Sequence, residues 1–477
     1  MMNRYWILAL LAAPWAASAE TLPVREVRQA DLPQQIFFDD IPEPDLPQLP
    51  PRPSEKQQAV RPVSAAQALE ARINQAVLAR DWAALDALLD EARARGGVDG
   101  ILLRYAAGAR LRATGQQKAA IAAYREIAAP ERPYVQLDLG LMLAEDKQYR
   151  VADAVFAEVE KGGINEAGRA VAAHYRQKMA EEQAWQPSFS MNYEQTDNVN
   201  NAASARTIET ADGRIWRKTE DSLPKSAHGL RYGLGAARTW NLSGNHYAHL
   251  SLDGSGVHYW DAQDFNEQTV RAEAGYRFRD VRRDFGLIPF AEQNWLGGER
   301  YNRHIGVAAD YRYRFNPQWQ LALNAQAGEK HYQDKDIAER YNSRTASAGI
   351  TASWYPAQGW LVFAGLDGAN DDTREREQAS WRYGLRAGAV KLFADGLGVR
   401  ANVRYGRREF KAPGFLVYDF VRRDHEYDAG AALWHNKISW KGITPRLNFR
   451  YKKIASNMPA FYSRQGKEWF VSLEKQF

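Results

Sequence analysis

Residues 303–315 read RHIGVAADYRYRF, and their period is two. In an extended chain Ile305, Val307, Ala309, Tyr311, Tyr313 and Phe315 share one face, while Gly306, Asp310, Arg312 and Arg314 share the other. The same alternation runs through QTVRAEAGYRFRD (268–280), with Val270, Ala272, Ala274, Tyr276 and Phe278 on one side. It returns in LGVRANVRYGRREF (397–410), with Leu397, Val399, Ala401, Val403 and Tyr405. The opposite face is charged rather than merely polar. A soluble sandwich would turn the apolar face into a core. A membrane barrel turns it to lipid and leaves the charged face lining a wet lumen.

The connections choose between the two. Short turns are predicted at 241–245, 279–284, 315–319, 355–359, 394–397 and 436–442. Longer polar stretches are predicted near 196–227, 260–267, 294–302, 332–342, 369–380, 411–425 and 455–467. Short and long alternate throughout. Thirteen connections give fourteen antiparallel strands, and an even number puts both sheet ends on the periplasmic side. Because lipid offers no hydrogen bonds to a sheet edge, the sheet must close. The fold class is therefore an all-β transmembrane barrel over 186–477, placed in the outer membrane and bathed by its lipids.

The chain preceding the barrel divides into three. MMNRYWILALLAAPWAASAE combines a basic Arg4, an apolar run and the small pair Ala17 and Ala19, so 1–19 reads as a cleaved signal peptide. Residues 20–62 hold nine prolines and read as a flexible tether. Residues 63–184 are rich in Ala, Leu, Arg and Glu at helical spacing and form an all-α domain expected in the periplasm. Within it LLRYAAGARLRATGQQKAAIAAYREI and QLDLGLMLAEDKQYRVADAVFAEV align at 32 residues. Gly108 then matches Gly140, Ala120 matches Ala152, and Tyr124 matches Phe156. Small residues let paired helices approach, and the aromatic is expected to fill the gap between repeats. This is tetratricopeptide-like, and such stacks present a groove to a peptide or partner protein.

Chemistry is sparse. No cysteine is present, which excludes a disulfide framework, a thiolate metal site and a cysteine nucleophile. The net charge of +5 is spread over interspersed acids and bases, which argues against a nucleic-acid partner. The nine histidines include His246 and His249 on opposite strand faces, a poor metal pair. The stretch LDGANDD (366–372) lacks calcium-loop spacing and reads as an acidic outside loop. Gly233 and Gly235 lie in a strand, and no Ser stands in a G-x-S-x-G context. The expectation is a protein with no catalytic residue, no cofactor and no metal.

The last stretch, GKEWFVSLEKQF (466–477), alternates with Trp469, Val471, Leu473 and Phe477 on one side. It reads as the fourteenth strand, closing on the first near Phe189 to Tyr193. Its terminal aromatic resembles the signal read by the barrel assembly machinery, although Lys475 stands where such signals carry an apolar residue.

The order of segments, and above all the junction PSFSMNYEQTDNVNNA (187–202), resembles the surface lipoprotein assembly modulators of Gram-negative bacteria, outer-membrane components of the type XI secretion system. The resemblance covers the whole chain and implies an activity rather than a reaction. It implies an outer-membrane translocator that helps client surface lipoproteins, or related secreted host-factor-binding proteins, reach the cell surface. The helical domain would engage the client or a periplasmic chaperone, with the tether giving it reach. A polysaccharide exporter is the rival, though such exporters carry more repeats. A porin-like solute channel is the third reading, and it needs no helical domain.

Overall fold

The computed structural model describes residues 64–209, 215–413, 420–440 and 443–476. The segments read as signal peptide and tether, with Ala17 and Ala19, lie outside the described residues, as does Phe477.

Seven helices come first: α1 Ala65–Ala79, α2 Trp82–Arg95, α3 Gly100–Ala113, α4 Gln117–Ile127, α5 Pro133–Glu145, α6 Tyr149–Lys161 and α7 Glu166–Glu182. Their starts are written locally. Ser64 and Gln67 form a reciprocal capping box at α1, and Asp81, Asp99 and Asn165 cap α2, α3 and α7. Pro133 opens α5, where its missing N–H costs nothing. Helices α1–α2, α3–α4 and α5–α6 pack as antiparallel pairs, and α7 covers the last pair.

The repeat glycines mark the closest approaches. A Cβ on Gly108 would fall 2.4 Å from the Tyr124 ring, and one on Gly140 would fall 2.6 Å from the Phe156 ring. Each aromatic thus lies over the glycine of its own repeat, rather than only between repeats. Phe156 then meets Tyr175 of α7 at 5.9 Å between ring centroids. Ala120, Ala152 and Phe156 are fully buried. Polar links join successive repeats: Tyr105 Oη donates to Asp138 at 2.9 Å, and Arg112 pairs with Glu145.

Three residues after α7 the barrel begins. Its strands are β1 Gln186–Thr196, β4 Ala227–Ser243, β5 His246–Tyr259, β6 Glu267–Arg279 and β7 Arg283–Leu296. There follow β8 Glu299–Asn316, β9 Trp319–Tyr332, β10 Ser343–Trp354, β11 Trp360–Thr373 and β12 Ser380–Leu392. The last four are β13 Leu397–Pro413, β14 Val421–His435, β15 Thr444–Ser456 and β16 Arg464–Gln476. A two-stranded ribbon, β2 Thr207–Glu209 with β3 Ile215–Arg217, sits in the first long connection. The fourteen long strands pair antiparallel, each with its sequence neighbour, and β1 closes on β16.

Period two fixes what faces outward. Ile305 is 52% and Val307 43% exposed, with Leu252, Leu366 and Leu385 on other barrel strands likewise exposed. A continuous outer band of large apolar side chains has no soluble explanation; lipid must cover it. Trp319 and Trp354 stack at 5.8 Å beside the short turns, where an aromatic girdle meets the membrane interface.

Two expectations need correction. The connection near 294–302 is not long: β7 and β8 join through Gly297 and Gly298 alone, both with positive φ (58° and 88°). Consecutive left-handed residues make a tight hairpin whose twist matches the strands, and glycine makes it strain-free. Polar residues there are strand, not loop, so short and long turns do not alternate without exception. Second, LDGANDD is no outside loop. It lies within β11, held between β10 and β12 from Leu366 to Asp371.

Candidate functional site: the charged lumen and the helical module at its rim

The lumen face is built from arginines that reach past glycines. Arg277 on β6 lies opposite Gly286 on β7, which lies opposite Asp310 on β8. Its Nη2 donates to both Asp310 oxygens at 2.6 Å. A Cβ on Gly286 would stand 2.5 Å from Asp310 Oδ1 and 3.0 Å from that Nη2, so the rung exists because the middle strand has no side chain. Arg386 on β12 likewise passes Gly365 on β11 to reach Thr351 on β10 at 2.7 Å. Arg404 on β13 passes Gly384 on β12 to reach Asp367 on β11 at 2.7 Å.

These rungs merge into one network. Asp367 also accepts from Arg386 at 3.1 Å, and Glu426 on β14 accepts from Arg382 at 3.0 Å and Arg404 at 3.4 Å. The Arg404 and Glu426 side chains are each 9% exposed. On the facing wall Arg271 donates to Glu273 at 2.7 Å and lies 3.9 Å above the Phe290 ring. Both signs are interleaved on this wall, and many of the charges are paired.

The helical module is fixed to the same end of the barrel as both sheet termini. The α5–α6 turn, residues 146–148, inserts between the β4–β5 and β6–β7 turns. Asn245 Nδ2 donates to the Asp146 main-chain oxygen and to the Arg279 oxygen at 2.8 Å. Tyr247 Oη donates to the Lys147 oxygen. The Arg150 N–H donates to Asn241 Oδ1 at 3.0 Å, and the Asn241 N–H donates to Gln183 Oε1 at 2.8 Å. Arg238 Nε donates to the Gln183 oxygen at 2.9 Å. Tyr247 is fully buried and belongs to the same apolar cluster as Phe156 and Met142 of the helices. Its ring meets Tyr149 edge-on at 6.1 Å. Lys147 takes left-handed backbone (φ 62°), in the turn that carries its carbonyl to Tyr247.

The junction has its own electrostatics. Burial pushes the Tyr149 hydroxyl well above its ordinary range, and its bond to Glu182 adds to that. Burial alone would raise Glu182, but Lys147 at 3.6 Å and the Tyr149 hydroxyl hold it below the usual carboxylate range. Burial lowers Lys147 despite that partner.

The sequence-derived residues fall in two places. Gly108, Ala120, Tyr124, Gly140, Ala152 and Phe156 lie together inside the helical stack. Trp469 and Val471 face outward, 67% and 51% exposed, with Leu473 half-buried on the same side. Sequence reasoning missed the docking residues Asn241, Asn245, Tyr247 and Asp146. Polar side chains in NLSGN read equally well as solvated turn residues, and only their partners about a hundred positions away distinguish them.

Comparison with known proteins agrees over both parts of the chain. The family model described as surface lipoprotein assembly modifier matches residues 185–477. The model for that family's N-terminal TPR repeats matches 59–156. A surface lipoprotein assembly modifier of Moraxella catarrhalis is 29% identical, covering 85% of this chain and 79% of that one. One from Pasteurella multocida is 27% identical, covering 80% and 77%. A hemophilin secretion modulator of Acinetobacter baumannii is 25% identical, covering 84% of each.

Proposed function

This chain belongs to the surface lipoprotein assembly modifier family, and from that premise we propose that it is an outer-membrane translocator that moves surface lipoproteins to the outer face. The helical module receives the client, alone or with a periplasmic chaperone, and the barrel gives it passage. The role is one of conduct, not catalysis. The observation that carries this reading is the docking of a peptide-binding type of helical stack onto the rim where the strands begin and end. A fixed module keeps a captured client at high effective concentration beside the lumen. The interleaved charges of the lumen wall support passage, because they offer a moving polypeptide hydration. An even number of strands brings both termini to that rim, which supports a periplasmic position for it. Membership in this family favours the reading over a polysaccharide exporter or a solute channel.

The test is deletion of residues 64–184. Cells are labelled with palmitate and shaved with protease, which scores surface lipoproteins without knowing the client. The deleted chain is expected to remain a heat-modifiable barrel in the outer membrane while the shaved signal falls to that of cells lacking the protein. An unchanged signal would sink the reading.

A further inference from the structure

The ladder that closes the barrel is incomplete, and in one direction only. Strands β1 and β16 pair over five residues, from Ser188 with Gln476 to Asn192 with Ser472. Every other neighbouring pair of barrel strands runs to eleven or more, as β1–β4 and β15–β16 do. Continued register would join Tyr193 to Val471, Glu194 to Phe470, Gln195 to Trp469 and Thr196 to Glu468, and none of these four rungs forms.

This is separation rather than fraying. Strand β1 stays paired to β4 out to Thr196 with Ala227. Strand β16 stays paired to β15 out to Arg464 with Ile454. Each lip is held by its own neighbour, and the slot lies between them. The five closed rungs are at the rim that carries the helical module, so the slot occupies the other, outer half. Its outward side is mostly apolar: Tyr193, Trp469 and Val471 are 50%, 67% and 51% exposed and lie in the lipid band, with the exposed Gln195 beside them. Its inward side carries Glu194 paired to Arg231 on one lip and, on the other, Glu468 paired to Arg450 at 3.7 Å beside Phe470.

Two rows of main-chain N–H and C=O groups therefore run beside each other at membrane depth without a shared ladder. Hydrocarbon satisfies none of them. A lipid tail brings no hydrogen bonds either. An extended polypeptide brings both donors and acceptors, and its period of two sends alternate side chains to lipid and to lumen, matching the two sides of the slot. It would also continue the ladder already begun at Asn192 and Ser472. We infer that the outer half of the β1–β16 seam receives an extended segment of the client as a transient strand; this rests on the client-handling reading above.

The chain has no cysteine, so introduced pairs are unambiguous. Full-length chains carrying Asn192→Cys with Ser472→Cys, or Gln195→Cys with Trp469→Cys, are assembled in the outer membrane and checked for heat-modifiable folding. Oxidant is expected to close the first pair and leave the second open. Equally complete closure of both overturns the open slot. A bis-maleimide is then applied to the assembled Gln195/Trp469 variant, and palmitate-labelled lipoprotein made afterwards is shaved from intact cells. Compared with the same cells unbridged, the signal is expected to fall to that of cells lacking the protein. Bridging the Asn192/Ser472 variant is expected to change nothing, and an equal loss there overturns the assignment to the outer half. If the Gln195/Trp469 bridge leaves display intact while deletion of 64–184 abolishes it, the seam inference fails and client handling stands. If neither changes display, both fail.

Discussion

The hydroxyl of Tyr247, on the third long strand of the barrel, donates to the main-chain oxygen of Lys147 in the turn between α5 and α6. One hundred residues of sequence separate the two, and the bond is sealed inside an apolar cluster drawn from both parts of the chain. It makes the helical module part of the rim rather than a body swinging on a leash.

Tyr247→Phe should therefore weaken docking, by about 1–3 kcal/mol, because it strands a buried carbonyl. Tyr247→Ala should cost more, about 3–5 kcal/mol, by adding a cavity where the ring was. Limited proteolysis between 183 and 185 reads the change, with faster release of the helical module and an unaltered heat-modified barrel. Equal release rates in wild type and Tyr247→Ala would contradict the docking role.

Gly140→Ala places a methyl 2.6 Å from the Phe156 ring in a packed stack. Overpacking of this kind destabilises by about 1–3 kcal/mol. The thermal transition of the helical module should drop. Gly163→Ala, with nothing within 4 Å, should leave it in place. Phe156→Leu should cost less in the Gly140→Ala background than it does alone if the ring, and not the glycine backbone, sets the limit.

Acid should loosen the junction. Glu182 is held below the usual carboxylate range, so its contribution is complete above its unfolded value and is lost as pH falls through the lower, folded one. Protease release of the helical module should accelerate below about pH 4, where glutamate ordinarily protonates. In Glu182→Gln the rate should be raised at neutral pH and flat across that window. A wild-type rate that is itself flat would remove Glu182 from the account.

Asp367→Asn should unbalance the lumen. Arg386 and Arg404 lose a shared carboxylate, leaving arginine in a narrow, partly desolvated wall. Reversal potentials across planar bilayers should shift toward anion preference, and the temperature at which the barrel loses its heat-modifiable form should fall. Unshifted selectivity would mean that Asp367 does not line the conducting path.

Much of this architecture is legible locally. RHIGVAADYRYRF is already a lipid-facing strand, because side chains alternate in any extended chain and the face with Ile305 and Val307 differs so sharply from that with Asp310 and Arg312. Thirteen connections are visible because turn residues and charge interrupt that period. Gly108 and Gly140 are findable because the repeat prints them twice. The misreadings have a local cause as well. Polar residues at 294–302 and 366–372 look like loop when lumen-facing strand is polar for the same reason.

The sequence by itself determined the strand number, the outward and inward faces, and the helical pairs, all of which depend on backbone period and on residues within a turn or a repeat. Only the tertiary structure decided which arginine meets which acid across a glycine, where the helical module sits, and how far the first strand pairs with the last. Those depend on the register of a closed ring and on partners up to nearly three hundred residues apart, and a local period carries no information about either.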